Sequence, residues 1–455
     1  MEKYINSTHS TIRRILSNTS GYTLYLVIIV LSISGILFTI TINSIQSIQK
    51  LVAREGIRLQ CRALAQSGIK RAEYFFNGND NHDMNWTTNG FDEQIEGCGT
   101  IHIECAPFGV YSRIVSAGSR INHTATITAM AGRNLPEILQ PALTLTGHIG
   151  GLVIDDKTTL EGEIILHHGY VMRNKAVYYD GSTIQKAMPG LPFDIMPVKK
   201  TMDSLKNLIK AKAPTISNNI VINRTNDTLL KMYQTLVIAG NCTIDSLPIA
   251  DKTILVDGKL TLNSCRSSNS VFTAESLLSI TDTSQYCIFY TTGTQVLHSG
   301  LHASQFFAYD SIVVQSAVKT LPPTIWVSYR ECKNDTFPHG GIFFAPQGTY
   351  NGIALTYADS TIPCSFGAPM RPAITVGEGS VFFGTIISDG AVTISNTFIS
   401  GHVWANSVIS IKDKMFYTNY LFNTIIMSTT TEQPFLLLGA KPITVTTAII
   451  NETFK

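Results

Sequence analysis

Hydrophobic and polar positions divide the chain into three regimes. From Gly21 to Ile42 the sequence GYTLYLVIIVLSISGILFTITI is continuously apolar, and no charged side chain falls between Arg14 and Lys50. About 22 residues at about 1.5 Å each cover the roughly 30 Å hydrocarbon core of a bilayer. A backbone in lipid must satisfy its own hydrogen bonds, so the run predicts one membrane-spanning helix. Ser32, Ser34 and Thr39 suit it, because their hydroxyls can donate to carbonyls one turn back. A cleaved secretory signal would have a shorter apolar core, about 7 to 15 residues, followed by a small-x-small site. Neither is present, and the run reads as a retained anchor. Basic residues stand on both sides of it (Lys3, Arg13 and Arg14 before, Lys50, Arg54, Arg58 and Arg62 after), so charge bias leaves the orientation open.

Behind the span the pattern changes to steps of three and four. Ile45, Ile48, Val52, Leu59 and Ala63, then Ala65, Ile69, Ala72 and Phe76, extend one helix to about Phe76, while Lys50, Arg54, Arg58 and Arg62 form an i, i+4 stripe on another face. The stripe reads as a solvated or lipid-headgroup face. Asn77, Gly78, Asn79 and Asp80 end the helix. The period then falls to two: Gly99–Cys105, Val110–Val115 and His123–Met130 predict a small antiparallel sheet leaning on the helix, with breaks at Pro107–Gly109 and Ala117–Arg120.

Beyond residue 140 the chain repeats itself. Leu236–Ile244 aligns with Ile254–Leu262 and then with Phe272–Ile280 at an offset of 18, and Gly384–Ile394 aligns with Gly401–Ile411 at an offset of 17. Each unit carries a polar corner, at Asp257–Gly258, Glu275–Ser276, Asp310–Ser311, Asp389–Gly390 and Asn406–Ser407, where Asp or Asn can bond the backbone locally and Gly accepts positive φ. Apolar residues such as Val392, Ile394, Ile409 and Ile411 recur after the corners. Stacked coils bury such residues only against their neighbours, so residues 141–425 predict a β-solenoid with irregular rungs. Weaker rungs lie between Leu143 and Met172. An insertion at 173–235, punctuated by Pro189, Pro192, Pro197 and Pro214, has a short helix at Thr201–Lys212 and flanks or caps the stack. Residues 426–455 read as a cap or tail, with an edge strand over Ile443–Ile450.

The balance of 34 basic against 32 acidic residues, a net +2, supplies no field that would draw the chain onto nucleic acid. Eight cysteines have no C-x-x-C and no Cys/His spacing suited to zinc, so no metal is expected. Cys98 with Cys105 and Cys242 with Cys265 are conceivable disulfides in an exported domain, although buried thiols fit the spacing better. Adjacent strand residues point to opposite faces, so His167 and His168 cannot chelate one ion together. Asp155–Asp156–Lys157 has turn character, and local capping explains it better than paired-carboxylate catalysis. Gly377–Ser380 reads as a corner and not as a phosphate cradle. No nucleophile, P-loop or metalloprotease pattern occurs, and no cofactor or catalytic residue is expected. Repetitive Ser and Thr faces with exposed aromatics such as Trp404 offer a binding surface.

Ser20-Gly21-Tyr22-Thr23-Leu24 followed by the apolar run resembles the class III signal of type IV pilins and type II secretion pseudopilins, and Ala63–Glu73 is similar to the helix that follows the span in minor pilins. The resemblance implies a basic leader over residues 1–21, cleavage after Gly21 by a prepilin peptidase, and N-methylation of Tyr22. Residues 22–77 are then the membrane and amphipathic helix, and 78–140 a pilin-like sheet. The protein would span the inner membrane once, with a periplasmic or extracellular C-terminal part. It would contact membrane lipid and other pilin-like subunits through the apolar helix. Leu26 stands where a typical pilin has Glu, which implies an initiating, tip or accessory subunit and not a shaft subunit. The 17-residue pair is similar to bactofilin-type β-helices. The reading is thus a mainly β, non-catalytic structural or adhesive envelope component. The alternatives are a membrane-tethered bactofilin-like scaffold and a β-helix polysaccharide-active enzyme.

Overall fold

In the computed structural model the apolar run and the amphipathic stretch behind it form one helix, α1 (Glu2–Phe76). The structure describes residues 2–76, 90–133, 140–148, 151–155, 157–173, 178–180, 183–185, 196–211, 214–280, 282–297, 299–321, 324–330, 340–358, 372–412, 414–428 and 445–454. Cys61, Leu64, Ala65, Gly68, Ile69 and Ala72, spaced alternately by three and one, are the covered stripe of α1. Ile45, Ile48, Val52 and Leu59 continue the same pattern but remain exposed.

The covered stripe lies on a five-stranded antiparallel sheet. Its order is β1 (Phe91–Ile95), β2 (Gly99–Phe108), β3 (Tyr111–Arg120), β4 (His123–Arg133) and finally the chain's last strand, Val445–Phe454. Ile101, Ile103, Ile114, Ile127 and Ala129 alternate along β2–β4 so that one face meets Leu64, Ala65, Ile69 and Ala72 of α1. The sequence placed a break at Ala117–Arg120. Instead β3 runs through those residues, and the chain reverses at Ile121, whose φ is +54°. The C-terminal residues, read as a cap or tail, include a strand paired with β4 from Val445↔Arg133 to Phe454↔Ala125.

Between β4 and that last strand the backbone builds parallel ladders with a third sheet of short strands beside them. The repeat seen in the sequence is the ladder register. Leu236 pairs with Ile254, and Cys242 with Leu260. One expectation fails in detail: Ile254 pairs with Phe272, but Leu260 pairs with Leu277 and not Leu278. The Gly258 corner holds one residue more than the corner after it, and the N–H groups of Glu275 and Ser276 both converge on the Gly258 carbonyl. The second pair slips the same way. Gly384 pairs with Gly401, yet beyond the corner Val392 pairs with Val408, so Ile409 and Ile411 do not take the matched places expected of them. Inside the stack, Phe272, Phe289, Phe306 and Trp326 stand in one paired column. Adjacent Phe rings stack at 4.9 and 4.6 Å within 8° of parallel.

Strand order does not follow chain order. Phe398–Ser400 pairs with Ile425–Met427, but Val403–Ala405 pairs with Leu143–Leu145. The long strand Phe398–Ala405 is therefore matched by two segments from opposite ends of the region. Thr159–Glu161 and Ile164–Leu166 stack on these segments next, followed by Tyr178–Asp180 and Thr183–Gln185. At the other end, the short Thr228–Met232 helix inserts Leu230 into the core.

Candidate membrane anchor and its junction with the strand stack

Among the described residues one helix is long and apolar enough to cross a membrane. It runs over Leu24–Phe75 with a mean hydropathy of 2.5 in its most apolar stretch, none of which is buried. Ser32 donates to Ile28 O at 2.7 Å and Thr39 to Gly35 O at 2.9 Å, so these hydroxyls find acceptors within the helix itself. Gly21 and Tyr22 belong to the same helix, and side chains are described from Leu24 onward. Leu26 is exposed with its neighbours.

Two glycines bring α1 onto the sheet. A Cβ at Gly118 of β3 would overlap the Cys61 carbonyl and the Ala65 amide, and one at Gly68 would overlap Ser116 Oγ. The helix backbone thus sits too close to β3 for a larger side chain at Gly118, while at Gly68 the Ser116 and Ile101 side chains would have to move. Of the basic stripe, Arg58 approaches Glu55 at 3.9 Å and Lys50 and Arg54 are exposed, as a solvated or headgroup-facing surface requires.

The opposite face of the sheet meets the stack. Phe108, Val110, Tyr111 and Met130 pack with Tyr290, Phe307, Val327, Tyr329 and Leu355. The Met196–Ala211 helix, expected within the insertion, closes the same cluster with Val198 and Met202. Asp203 accepts the Tyr309 hydroxyl at 2.5 Å, and the Lys206 ammonium lies 3.6 Å from the centre of that ring. At the centre stands Gln305, fully buried. Its Nε2 donates to Phe108 O at 3.0 Å and its Oε1 accepts Val110 N–H at 3.0 Å, so one side chain satisfies both backbone groups of the β2–β3 turn. Gly109, at φ +63°, leaves room for that amide.

Other residues singled out by the sequence take mixed positions. Asp155 is buried: Thr158 N–H bonds its carbonyl at 3.3 Å in a local turn, and its carboxylate also reaches partners distant in the chain, with Lys412 Nζ 3.3 Å away and the Tyr420 hydroxyl donating to the same oxygen. Asp156 lies outside the described residues, and Lys157 adopts φ +57°. His167 and His168 close the Ile164–His168 strand. Among the described residues no group of three or more His, Cys, Asp or Glu is placed to hold a metal ion. Trp404 is not the exposed aromatic it was expected to be; it is 4% exposed within the junction cluster. Gly377–Ser380 is the turn expected of it. The conceived disulfides are not formed: Cys61, Cys98, Cys105, Cys242, Cys265 and Cys287 are free thiols, while Cys332 and Cys364 lie outside the described residues. Burial pushes Cys242 and Cys287 up to about 12 and Cys265 up to about 11. Sequence reasoning missed Gln305 and Asp282. Asp282 is buried, accepts Cys265 N–H at 2.8 Å and Ser279 Oγ–H at 2.7 Å, and is pushed by burial up to about 6.

No family model matches the sequence, and no curated protein matches it. Among solved structures the chain is similar to the competence-associated pilin ComZ from Thermus thermophilus, at 10% identity and a TM-score of 0.20, over 87% of this chain and 97% of that one.

Proposed function

We propose that the chain is a membrane-anchored envelope subunit of the minor-pilin or pseudopilin kind, structural or adhesive and not catalytic. In this reading the uncharged run ending before Lys50 lies in the bilayer and packs laterally against other pilin-like subunits, with the Lys50–Arg58 stretch at the headgroup level. Residues 78–140 with the final strand form the head, and residues 141–425 are a β-solenoid carried by it. The carrying observation is the division of α1: an uncovered stretch over Leu24–Leu59 that has no charged side chain before Lys50, and a stretch seated on an antiparallel sheet from Cys61 to Ala72. An apolar helix face of that length left bare in water would be strongly unfavourable, whereas lipid or sister helices would cover it. The register of the parallel ladders supports the solenoid reading.

The reading includes cleavage after Gly21 by a prepilin peptidase and methylation of Tyr22, with the C-terminal part outside the inner membrane. The intact mass of the mature protein tests this, because the loss of residues 1–21 and the gain of one methyl group are both visible. An unprocessed N-terminus overturns the pilin part. A chain that stays monomeric and dissolved without detergent overturns the anchor as well. Alkaline phosphatase fused after Lys455 is expected to be active; an inactive fusion would favour the cytoplasmic scaffold.

A further inference from the structure

A groove of about 390 Å³ opens on the outside of the stack, lined by Arg224, Ser246, Leu247, Pro248, Ser264 and Arg266. It forms where successive coils turn from one sheet into the next. Ile222 pairs with Ile244 and Ile244 with Leu262, so Arg224, Ser246 and Ser264, each two residues further on, occupy one corner column. Ser246 and Ser264 hold the turn at φ +55° and +53°. Arg224 Nε donates to Ser246 O at 3.4 Å, which orients its guanidinium over the groove. Arg266 pairs with Pro248 in the third sheet, and no hydrogen bond or ion pair among the described residues engages its guanidinium. Leu247, 5% exposed, and Pro248 supply an apolar floor.

Two guanidiniums above an apolar floor suit an anionic group borne on a ring whose C–H face can rest on Leu247 and Pro248. The volume falls in the usual range for small-ligand sites. Arg224 and Arg266 are the charged groups of the lining. Asp245, next in sequence to Ser246, is held by Ser246 Oγ at 3.0 Å and Asn263 Nδ2 at 2.9 Å. The net charge of +2 adds no long-range field, so recognition rests on the two arginines meeting a carboxylate at close range. We propose that this groove binds a carboxylated sugar ring, the uronic acid unit of an acidic polysaccharide. The inference goes beyond the envelope role, since the groove is complete whether or not the helix is processed or assembled.

The test is titration of the full-length protein in detergent with an oligogalacturonide, beside the carboxyl-reduced neutral oligomer and a single-stranded oligonucleotide. Saturable binding of the oligogalacturonide alone is expected. Arg224→Gln and Arg266→Gln should each weaken it by about tenfold, as loss of one charge-assisted contact implies. Lys259→Gln makes the same charge change on an exposed strand position away from the groove and should leave binding unaltered. Arg266→Lys, which keeps the charge but loses the planar fork, should fall between and covers the case of a misfolded Gln variant. The proposal is overturned by absent saturation, by equal binding of the neutral oligomer, by an equal loss in Lys259→Gln, or by tighter binding of the oligonucleotide through the same two arginines.

Discussion

Ser428 Oγ donates to the Gln140 carbonyl at 3.2 Å across 288 residues, so the stack is entered and left at one point. Ser428 N–H also bonds Glu161 O at 2.9 Å, and Val403 N–H bonds Ala142 O at 3.0 Å, which stitches the two segments together. The region between β4 and the final strand is therefore an insertion into the antiparallel sheet, whose edge the final strand forms.

The stitched junction depends on Asp155. Its carboxylate ties the Leu152–Ile154 segment to Lys412 and to Tyr420 of the neighbouring strand. Asp155→Ala leaves a half-buried ammonium and a hydroxyl without their acceptor, and should lower stability by about 1–3 kcal/mol. Chemical denaturation of the full-length protein in detergent measures it, and Tyr420→Phe should show a smaller loss in the same direction.

Removing Gln305 should loosen the head from the stack. Gln305→Leu keeps much of the side-chain volume but leaves the Val110 N–H buried without a partner and takes one donor from the Phe108 carbonyl, at a cost of about 1–3 kcal/mol. Hydrogen exchange should show faster exchange at Val110, while amides inside the stack, such as Phe289, keep wild-type protection.

Contact between α1 and β3 has no room for a methyl group at Gly118. Gly118→Ala should cost about 1–3 kcal/mol by forcing the helix off the sheet. Limited proteolysis near Cys61 would report the separation, and unchanged cleavage would count against the close approach.

Asp282 gives the stack a pH dependence of definite sign. Its carboxyl is raised to about 6 from an ordinary 3.8, so the folded state holds the proton more tightly than the unfolded one. This group makes the fold more stable as pH falls from about 6 toward 4, and it disfavours the fold above 6 by on the order of 3 kcal/mol. Asp282→Asn keeps an acceptor for Cys265 N–H. It should raise the unfolding midpoint at pH 7, with the gain over wild type shrinking toward pH 4; a gain independent of pH would remove the explanation.

Thiol labelling separates the cysteines. Cys98 is exposed and should react with a maleimide in the folded protein. Cys242, Cys265 and Cys287, buried and shifted upward, should label only on unfolding, as peptide mass mapping would show.

Much of this architecture was legible because periodicity is a local property. The long apolar helix, its extension to Phe76, the first sheet strands and the parallel register at Leu236–Leu262 all follow from spacing within a few dozen residues. What escaped was long-range. Nothing near Leu143 says that its strand stacks on Val403, and nothing near Val445 says that it pairs with Arg133. The slips at Gly258 and Gly390 were hidden because a bulge absorbs one residue without disturbing the apolar pattern around it. Trp404 looked like a surface aromatic since the cluster that buries it includes residues of another layer, among them Phe108, Val110 and Met130. Gln305, a polar residue in an apolar strand, gave no hint of its role, because the turn it holds lies 195 residues earlier.

The pairing of Leu143–Leu145 with Val403–Ala405 also orders biogenesis. The strands of residues 143–185 leave the ribosome first, yet the surface that Leu143–Leu145 stacks on is made of Val403–Ala405 and is synthesised some 260 residues later. Until then one end of that early block is a row of unpaired amides and carbonyls, the kind of edge that invites self-association. Translocation machinery or a chaperone holding the nascent chain through that interval would protect it, and truncated products ending before residue 400 would be the ones that aggregate.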